Sequence, residues 1–427
     1  MIVLLLIFFA LALVIGVPIA FGMGIAGAIW IVGIDGLDPT VLIRRMFSTM
    51  GSFPLLAIPL FTMIGILAER SGMLPNLVLW LQMLLGRFKG GMAYINVANS
   101  LVMGGVSGTA VSDVASLGRI EIRMMKRAGY PAPYAAALTA STAVISPIIP
   151  PSVAMIIFAL AAGGVSIGGL FMAGIIPGAI MALGLWGMAF IKSRTGDFGT
   201  IVERPPLAVI ARQSLRVLPF AFLPIIIIGG IISGYFTPTE SAAVGVLYVA
   251  LVGFAMRSLS LKDVYDTIIY SAIISSVVGM LMGAGAIISW IMTRSQLTIH
   301  MAEFLVGITA DPTLFMVLVA ALLLLLGSVM DATALMVALA PMLVPIARSY
   351  GIDDLQFGLV FIMSCMIGMV TPPTGILLFM TASFAQVPIE KVFKAILPFV
   401  LAAAVLILLL ILFPPLTLWV PELVGLK

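Results

Sequence analysis

Charge is what this 427-residue chain has least of: Lys, Arg, Asp and Glu together make up 9% of it, against about 25% in a soluble globular domain. No soluble fold needs so little. Cysteine and histidine are almost absent, at one residue each, Cys365 and His300. A disulfide framework is excluded, and so is a protein-built metal centre, which needs three or four convergent ligands. An intramembrane enzyme would need a nucleophile beside a base, or a metal set, and neither solitary residue has such a neighbour in sequence. No enzymatic role is expected.

What fills the space is apolar sequence, 62% hydrophobic residues with a mean hydropathy of +1.27. A spanning helix needs roughly 20 apolar residues, so a chain of this length accommodates about ten to fourteen membrane segments. The expected fold is an all-α, multi-pass helix bundle in contact with lipid, without a sizeable soluble domain. The net charge of +4 points to no nucleic acid, because the basic residues sit at the ends of apolar runs, where they orient helices. Met1 to Ile15 lack a basic leader and run through Gly16-Val17-Pro18 into further apolar sequence, so a retained first helix is expected. Trp30, Trp80 and Trp419 fall near segment ends, where an interfacial belt would place them.

Apolar segments recur at about 2–34, 52–68, 91–106, 134–145, 151–163, 169–191, 216–233, 239–256, 268–292, 313–330, 355–370, 373–386 and 392–414. Several are too short to span. Around 91–163 and 313–387 they are interrupted by Gly, Pro, Ser and Thr, which predicts re-entrant hairpins and broken helices. Such backbone persists at membrane depth only when buried in protein or lining a polar cavity. The polar stretch from Lys192 to Arg216 divides the chain into halves 1–200 and 201–427. Its surplus of Lys and Arg predicts a cytoplasmic loop, and Arg44-Arg45 predict another, which would leave the N-terminus outside.

The halves repeat one another. Gly129 and Gly351, Pro150 and Pro372, Pro151 and Pro373, Thr142 and Ser364, and Ser152 and Thr374 are each 222 positions apart. Arg119, Arg123, Lys126 and Arg127 precede the first glycine, whereas Arg348 with Asp353 and Asp354 surround the second. Opposite charge contexts predict opposite orientation. Inverted repeats of this kind hold substrate and coupling ions near the midplane, at their interrupted helices.

Each half brings similar chemistry to the interruption. Residues 104–113 combine Gly104, Gly105, Ser107, Gly108, Thr109 and Ser112 with Asp113, and residues 145–152 carry Ser146, Pro147, Pro150, Pro151 and Ser152. Prolines remove amide donors and leave carbonyls free, while hydroxyls add hard oxygen ligands suited to an alkali cation. The alternative is ordinary helix packing by small residues, with hydroxyls bonded to the preceding turn. A carboxylate at bilayer depth shifts the balance, since it costs about 2.5–3.5 kcal/mol on insertion scales and is usually paired or functional. The second half offers Gly327, Asp331 and Thr333, then Gly368, Thr371, Pro372, Pro373 and Thr374. Glu240, following Thr237-Pro238-Thr239, is read as a helix cap rather than a ligand.

Five stretches in order, Leu55–Phe61, Ser107–Ala115, Pro147–Ser152, Thr237–Val244 and Thr371–Gly375, give the chain its resemblance to the large membrane subunit of tripartite ATP-independent periplasmic (TRAP) transporters. The resemblance implies a sodium-coupled importer of small carboxylates in the bacterial inner membrane. It implies a periplasmic substrate-binding protein and a small four-helix membrane subunit as partners, Na+ as coupling ion, and an elevator mechanism. Carried over, sodium sites would involve Ser107, Gly108, Thr109 and Pro150 in one half and Asp331, Thr333, Gly368, Thr371 and Pro372 in the other. Asp113, Ser146, Ser152 and Thr374 would face the substrate cavity. The chain departs from the family at Met363-Ser364-Cys365-Met366, where many members carry an Asn. The wording is most similar to the sialic-acid branch, with C4-dicarboxylates and other sugar acids open. A stand-alone anion transporter would show the same broken helices, and a passive channel is the remaining alternative.

Overall fold

The computed structural model describes residues 15–34, 36–196, 205–297, 301, 303, 307 and 309–426. The expected first helix up to residue 14, His300 and residues 197–204 at the expected boundary between halves lie outside the described residues. All regular structure among the described residues is helical. The order is α1 Ile19–Ala28, running into a π turn over Ile29–Ile34, then α2 Thr40–Met50, α3 Ala57–Arg70 and α4 Met73–Leu85. Next come α5 Gly91–Ser107, α6 Ala110–Asp113, α7 Arg119–Arg127, α8 Ala132–Ala143, α9 Val153–Ala162 and α10 Ile167–Thr195. The second half follows with α11 Leu207–Ile232, α12 Pro238–Ala255, α13 Leu261–Arg294, α14 Pro312–Gly327, α15 Ala332–Ser349, α16 Asp354–Gly368, α17 Ile376–Ala385, α18 Ile389–Leu412 and α19 Pro415–Leu423.

Seven helices among the described residues are long and apolar enough to cross a membrane. The others are short because the sequence stops them. Gly16-Val17-Pro18 splits what reads as one apolar run at 2–34, since Pro18 cannot continue an incoming helix and stands as the N-cap of α1. At the start of α12 the expected cap is present: the Thr237 hydroxyl accepts from the Glu240 amide, and the Glu240 carboxylate accepts from the Thr237 amide at 2.8 Å. Six helices, α2, α4, α6, α7, α15 and α19, had no counterpart among the expected apolar segments. α2 has a solvated face that includes Arg44 and Arg45, and α4 begins where Gly72 adopts φ +71°.

The interruptions make two hairpins. In the first, α5 descends to Ser107 and the chain returns through α6, the π turn Val114–Gly118 and α7. Asn96 meets Met125 and Asn99 meets Glu121, so the two arms run antiparallel. The second hairpin joins α14 to α15. Each is followed by a span broken in the middle, α8 with α9 and α16 with α17, of 12, 10, 15 and 10 residues. At 1.5 Å rise per residue each piece covers about half to three quarters of a 30 Å hydrocarbon core.

The repeat is exact in register where the halves interlock. Ala110–Arg127 and Ala332–Ser349 coincide at a separation of 222, as do the starts of α10 and α18. Lys126 donates to the carbonyl of Ala385 at 2.9 Å, and Arg348 donates to that of Gly163 at 3.4 Å. Lys126 and Arg348 are repeat mates, and so are Gly163 and Ala385. Likewise α8 packs on α17 and α18 of the other half, while α16 packs on α9 and α10. Reciprocal contacts of this sort are what a pseudo-twofold axis between inverted halves produces.

Around this interlocked group lie α1–α4 and α11–α13, which pack chiefly on one another and touch it through α3, α4, α11 and α13. The tryptophans depart from a simple belt. Trp30 is buried against Ile287 and Ile291, Trp80 donates to Ser214 at 2.8 Å, and Trp419 is exposed. Arg44 and Arg45 also depart from expectation. Arg45 shares a cleft with Gly163, at the end of the broken span α8–α9 opposite Arg127. Arg45 and the Arg119–Arg127 cluster therefore cannot both face the cytoplasm. The expectation treated 2–34 as one segment before Arg44, and the part of it up to residue 14 lies outside the described residues.

Candidate functional site at the paired helix breaks

The first break is enclosed. α5 ends at Ser107, Gly108 turns the chain at φ +59°, and Thr109 is extended before α6 begins. Gly108 lies against the facing break: a Cβ there would fall 2.5 Å from the Pro151 carbonyl oxygen and 2.9 Å from the Ser152 Cα. Only glycine satisfies both the dihedral and the approach. The facing segment contains a cis Pro150-Pro151 bond. Ser152 closes it, donating to the Pro147 carbonyl at 2.6 Å and accepting from the Met155 amide at 3.2 Å. Ser107, Pro150 and Ser152 are buried, and the Ser107 hydroxyl has no hydrogen-bond partner among the described residues. An orphaned hydroxyl beside proline-freed carbonyls is the donor set of a dehydrated alkali cation.

The second break repeats this plan with different side chains. Gly327 ends α14 and Gly368 ends α16, with their backbones in contact: a Cβ on Gly368 would lie 2.6 Å from the Gly327 Cα. A cis Pro372-Pro373 bond follows. The Thr374 hydroxyl donates to the Ser328 carbonyl, and the Thr371 hydroxyl to Ile367 at 2.7 Å. Asp331 caps α15, accepting from the amides of Thr333 at 2.9 Å and Ala334 at 3.4 Å. Asp331 and Thr374 are exposed, and Thr371 and Pro372 half-buried. One break is thus closed and the other open. Ser364, within the departure from the family pattern, donates to its own helix at Val360 and makes no cross-helix bond among the described residues.

Three of the residues expected to face a substrate cavity do not line one in this conformation. Asp113 is 2% exposed and accepts the Ser146 hydroxyl at 2.8 Å; Ser146 and Ser152 are fully buried. They belong to a polar seam between the first hairpin and the broken span α8–α9. Asn96 donates to Thr139 at 2.7 Å and accepts from Thr142 at 2.6 Å, and Asn99 donates to Glu121 at 2.9 Å. Glu121 is 4% exposed although it sits in a run of cations. Sequence reading passed over Asn96, Asn99 and this inward role of Glu121. The available signal was the polar stripe Asn96, Asn99 and Ser100 at helical spacing in an otherwise apolar helix.

An open cleft of about 530 Å³ adjoins the broken span, between α2 and α13 on one side and α9 and α15 on the other. Arg45, Ser48, Thr49, Ser289 and Thr293 supply its polar wall, and Arg45 stands 5.5 Å from the centroid of the Trp290 ring. It is large enough for a small organic acid, and among the described residues Arg45 is the one cation lining it.

Residues 5–416 match the family described as the tripartite ATP-independent periplasmic transporter, DctM component. The chain is 32% identical over 413 residues to the sialic acid TRAP transporter large permease protein SiaM of Vibrio cholerae, covering 96% of this chain and 95% of that one. It is 34% identical over 412 residues to the sialic acid TRAP transporter permease protein SiaT of Haemophilus influenzae, covering 96% of this chain but 66% of that longer protein. It is 33% identical over 408 residues to the 2,3-diketo-L-gulonate TRAP transporter large permease protein YiaN of Escherichia coli, covering 94% of each. Among solved structures, the YdaH transporter of Alcanivorax borkumensis superposes with a TM-score of 0.61 over 88% of each chain at 17% identity, a likeness of fold alone.

Proposed function

Because this chain belongs to the DctM-component family of tripartite ATP-independent periplasmic transporters, as their large permease subunit, we propose that it imports a small carboxylate across the bacterial inner membrane, driven by sodium. Sialic acid is the favoured cargo, since two relatives of similar identity bear that name. The relative named for 2,3-diketo-L-gulonate supports the wider class of sugar acids. The observation that carries the reading is the pair of helix breaks, each joining a hairpin tip to a Pro-Pro turn through glycine contacts.

At the first break, Ser107, Gly108, Thr109 and Pro150 supply hydroxyl and carbonyl oxygens to one sodium ion. At the second, Asp331, Thr333, Gly368, Thr371 and Pro372 surround another. Sodium bound between a hairpin tip and a Pro-Pro turn links segments that are otherwise joined by few bonds, and its charge favours an anion nearby. Arg45 then attracts the carboxylate into the cleft, and Thr374 offers a hydroxyl at the open break. The interlocked group of α5–α10 and α14–α18 moves as a body against α1–α4 and α11–α13, which gives alternating access by an elevator stroke. The end carrying Arg87, Lys89, Arg123, Lys126, Arg127, Lys192 and Arg194 faces the cytoplasm, by the positive-inside rule. A small four-helix membrane subunit and a periplasmic binding protein complete the machine.

Uptake of candidate acids into proteoliposomes, with the small subunit present, tests this. Saturable uptake that needs both a sodium gradient and the binding protein is the expected result. Uptake independent of sodium would refute the coupling, and full uptake without the binding protein would make this a stand-alone transporter.

A further inference from the structure

A cleft of about 650 Å³ opens between α7 and the end of α17, lined by Arg119, Arg123, Lys126, Arg127, Ser383, Phe384 and Gln386. Its cations have different jobs. Lys126 bonds the Ala385 carbonyl at 2.9 Å, as its repeat mate Arg348 bonds Gly163, so Lys126 belongs to the interlock. Among the described residues the three arginines make no such hydrogen bond, and Arg119 reaches the other half only through the Phe384 ring. Their repeat mates on α15 are Pro341, Pro345 and Ser349, and that helix makes the matching contacts without any charge there. The fold therefore does not require positive charge at these positions.

Nor is the charge neutralised. Among the described residues no carboxylate pairs with Arg119, Arg123 or Arg127 within 4 Å. Glu121, on the same helix, points inward to Asn99. Arg119 stands 4.9 Å from the centroid of the Phe384 ring, which orients its guanidinium beside the hydroxyl-bearing wall. From this wall an exposed apolar stripe runs toward the bundle's middle: Ile376 and Phe379 share a face of α17 with Ser383.

We propose that this cleft binds the headgroup of an anionic phospholipid, phosphate against Arg119, Arg123 and Arg127, with an acyl chain along Ile376 and Phe379. Basic pockets between helices at the cytoplasmic surface suit such headgroups, because a guanidinium fork matches phosphate oxygens and the leaflet there is negatively charged. A free anion would use the same arginines but not the apolar stripe. The assignment is independent of the transported substrate.

The test is native mass spectrometry of the full-length chain in detergent, titrated with phosphatidylglycerol, phosphatidylcholine and inorganic phosphate. Binding by purified protein does not depend on membrane orientation, so an effect of the arginines on topology cannot imitate it. Phosphatidylglycerol should bind in preference to phosphatidylcholine. The triple replacement Arg119→Gln, Arg123→Gln and Arg127→Gln should weaken that binding on the order of a hundredfold, since each surface cation near an anionic headgroup is worth about a factor of five. Arg123→Gln alone, which retains two of the cations should the triple variant misfold, should lose about fivefold. Unchanged phosphatidylglycerol affinity in these variants would overturn the site. Displacement of the lipid by millimolar inorganic phosphate would overturn the lipid assignment in favour of a soluble anion.

Discussion

Gly108 and Asp331 show how differently the two breaks depend on single residues. Gly108 combines a left-handed dihedral with a carbonyl 2.5 Å from where a Cβ would lie. Gly108→Ala should therefore cost about 1–3 kcal/mol locally and reduce sodium-driven uptake more than tenfold. Wild-type uptake rates from that variant would show that the Gly108 turn is not part of the transport site. Asp331 has a structural duty and a proposed ionic one, and the substitution chosen separates them. Asp331→Asn keeps an oxygen for capping α15, so the melting temperature should hold within a few degrees. The sodium concentration for half-maximal uptake should nonetheless rise at least tenfold, while Asp331→Ala should abolish sodium dependence. Unaltered sodium activation in both variants would remove Asp331 from the ion site. For the cleft, Arg45→Ala should raise the substrate concentration for half-maximal uptake by about tenfold; a lowered maximal rate at unchanged half-saturation would argue against an attracting role.

Within the first hairpin the arms are held by polar contacts as much as by packing. The Asn99 amide is the hydrogen-bond donor found for the buried Glu121 carboxyl. Asn99→Ala leaves that carboxyl without it, at a cost of about 1–3 kcal/mol, because an unpaired buried polar group forfeits its hydration. Thermal unfolding in detergent should register this as a drop of several degrees. An unchanged transition would mean that water reaches Glu121 and the hairpin is looser than its burial indicates. The helix breaks themselves were readable from Gly, Pro and hydroxyl clusters, since those residues act through local backbone chemistry. The inward turn of Glu121 was not. A carboxylate among Arg119, Arg123, Lys126 and Arg127 reads as one more surface charge, and only the antiparallel return of the hairpin brings Asn99 opposite it.

The whole molecule is two interlocked copies of one plan, and its sidedness follows from where the copies differ in charge. Cys365 is the one cysteine and is buried, so single-cysteine variants in a Cys365→Ala background can report topology cleanly. Arg45→Cys and Arg127→Cys should react with membrane-impermeant thiol reagents from opposite sides, Arg127→Cys from the cytoplasm. Labelling of both from one side would contradict the placement of Arg45 beside Gly163. The relation between halves could be found in the sequence because a 222-residue offset survives in the positions that make turns. What determines orientation at each end is harder to see there: Arg44 and Arg45 read as one more positive-inside loop, and only the packed chain puts Arg45 beside Gly163.

Composition alone decided that the chain lives in the membrane as helices, because burying so much apolar surface with so little charge has no other solution. Repeated Gly and Pro positions decided that it has two inverted halves with broken helices, because those residues constrain backbone wherever they stand. Tertiary structure decided the rest. It enclosed the first break and left the second open, moved Asp113, Ser146 and Ser152 from an expected cavity wall into a buried seam, and gathered three arginines at a cleft that the repeat itself does not need. Which side chains meet depends on how the halves interlock, and that arrangement is a property of the packed chain rather than of any segment in it.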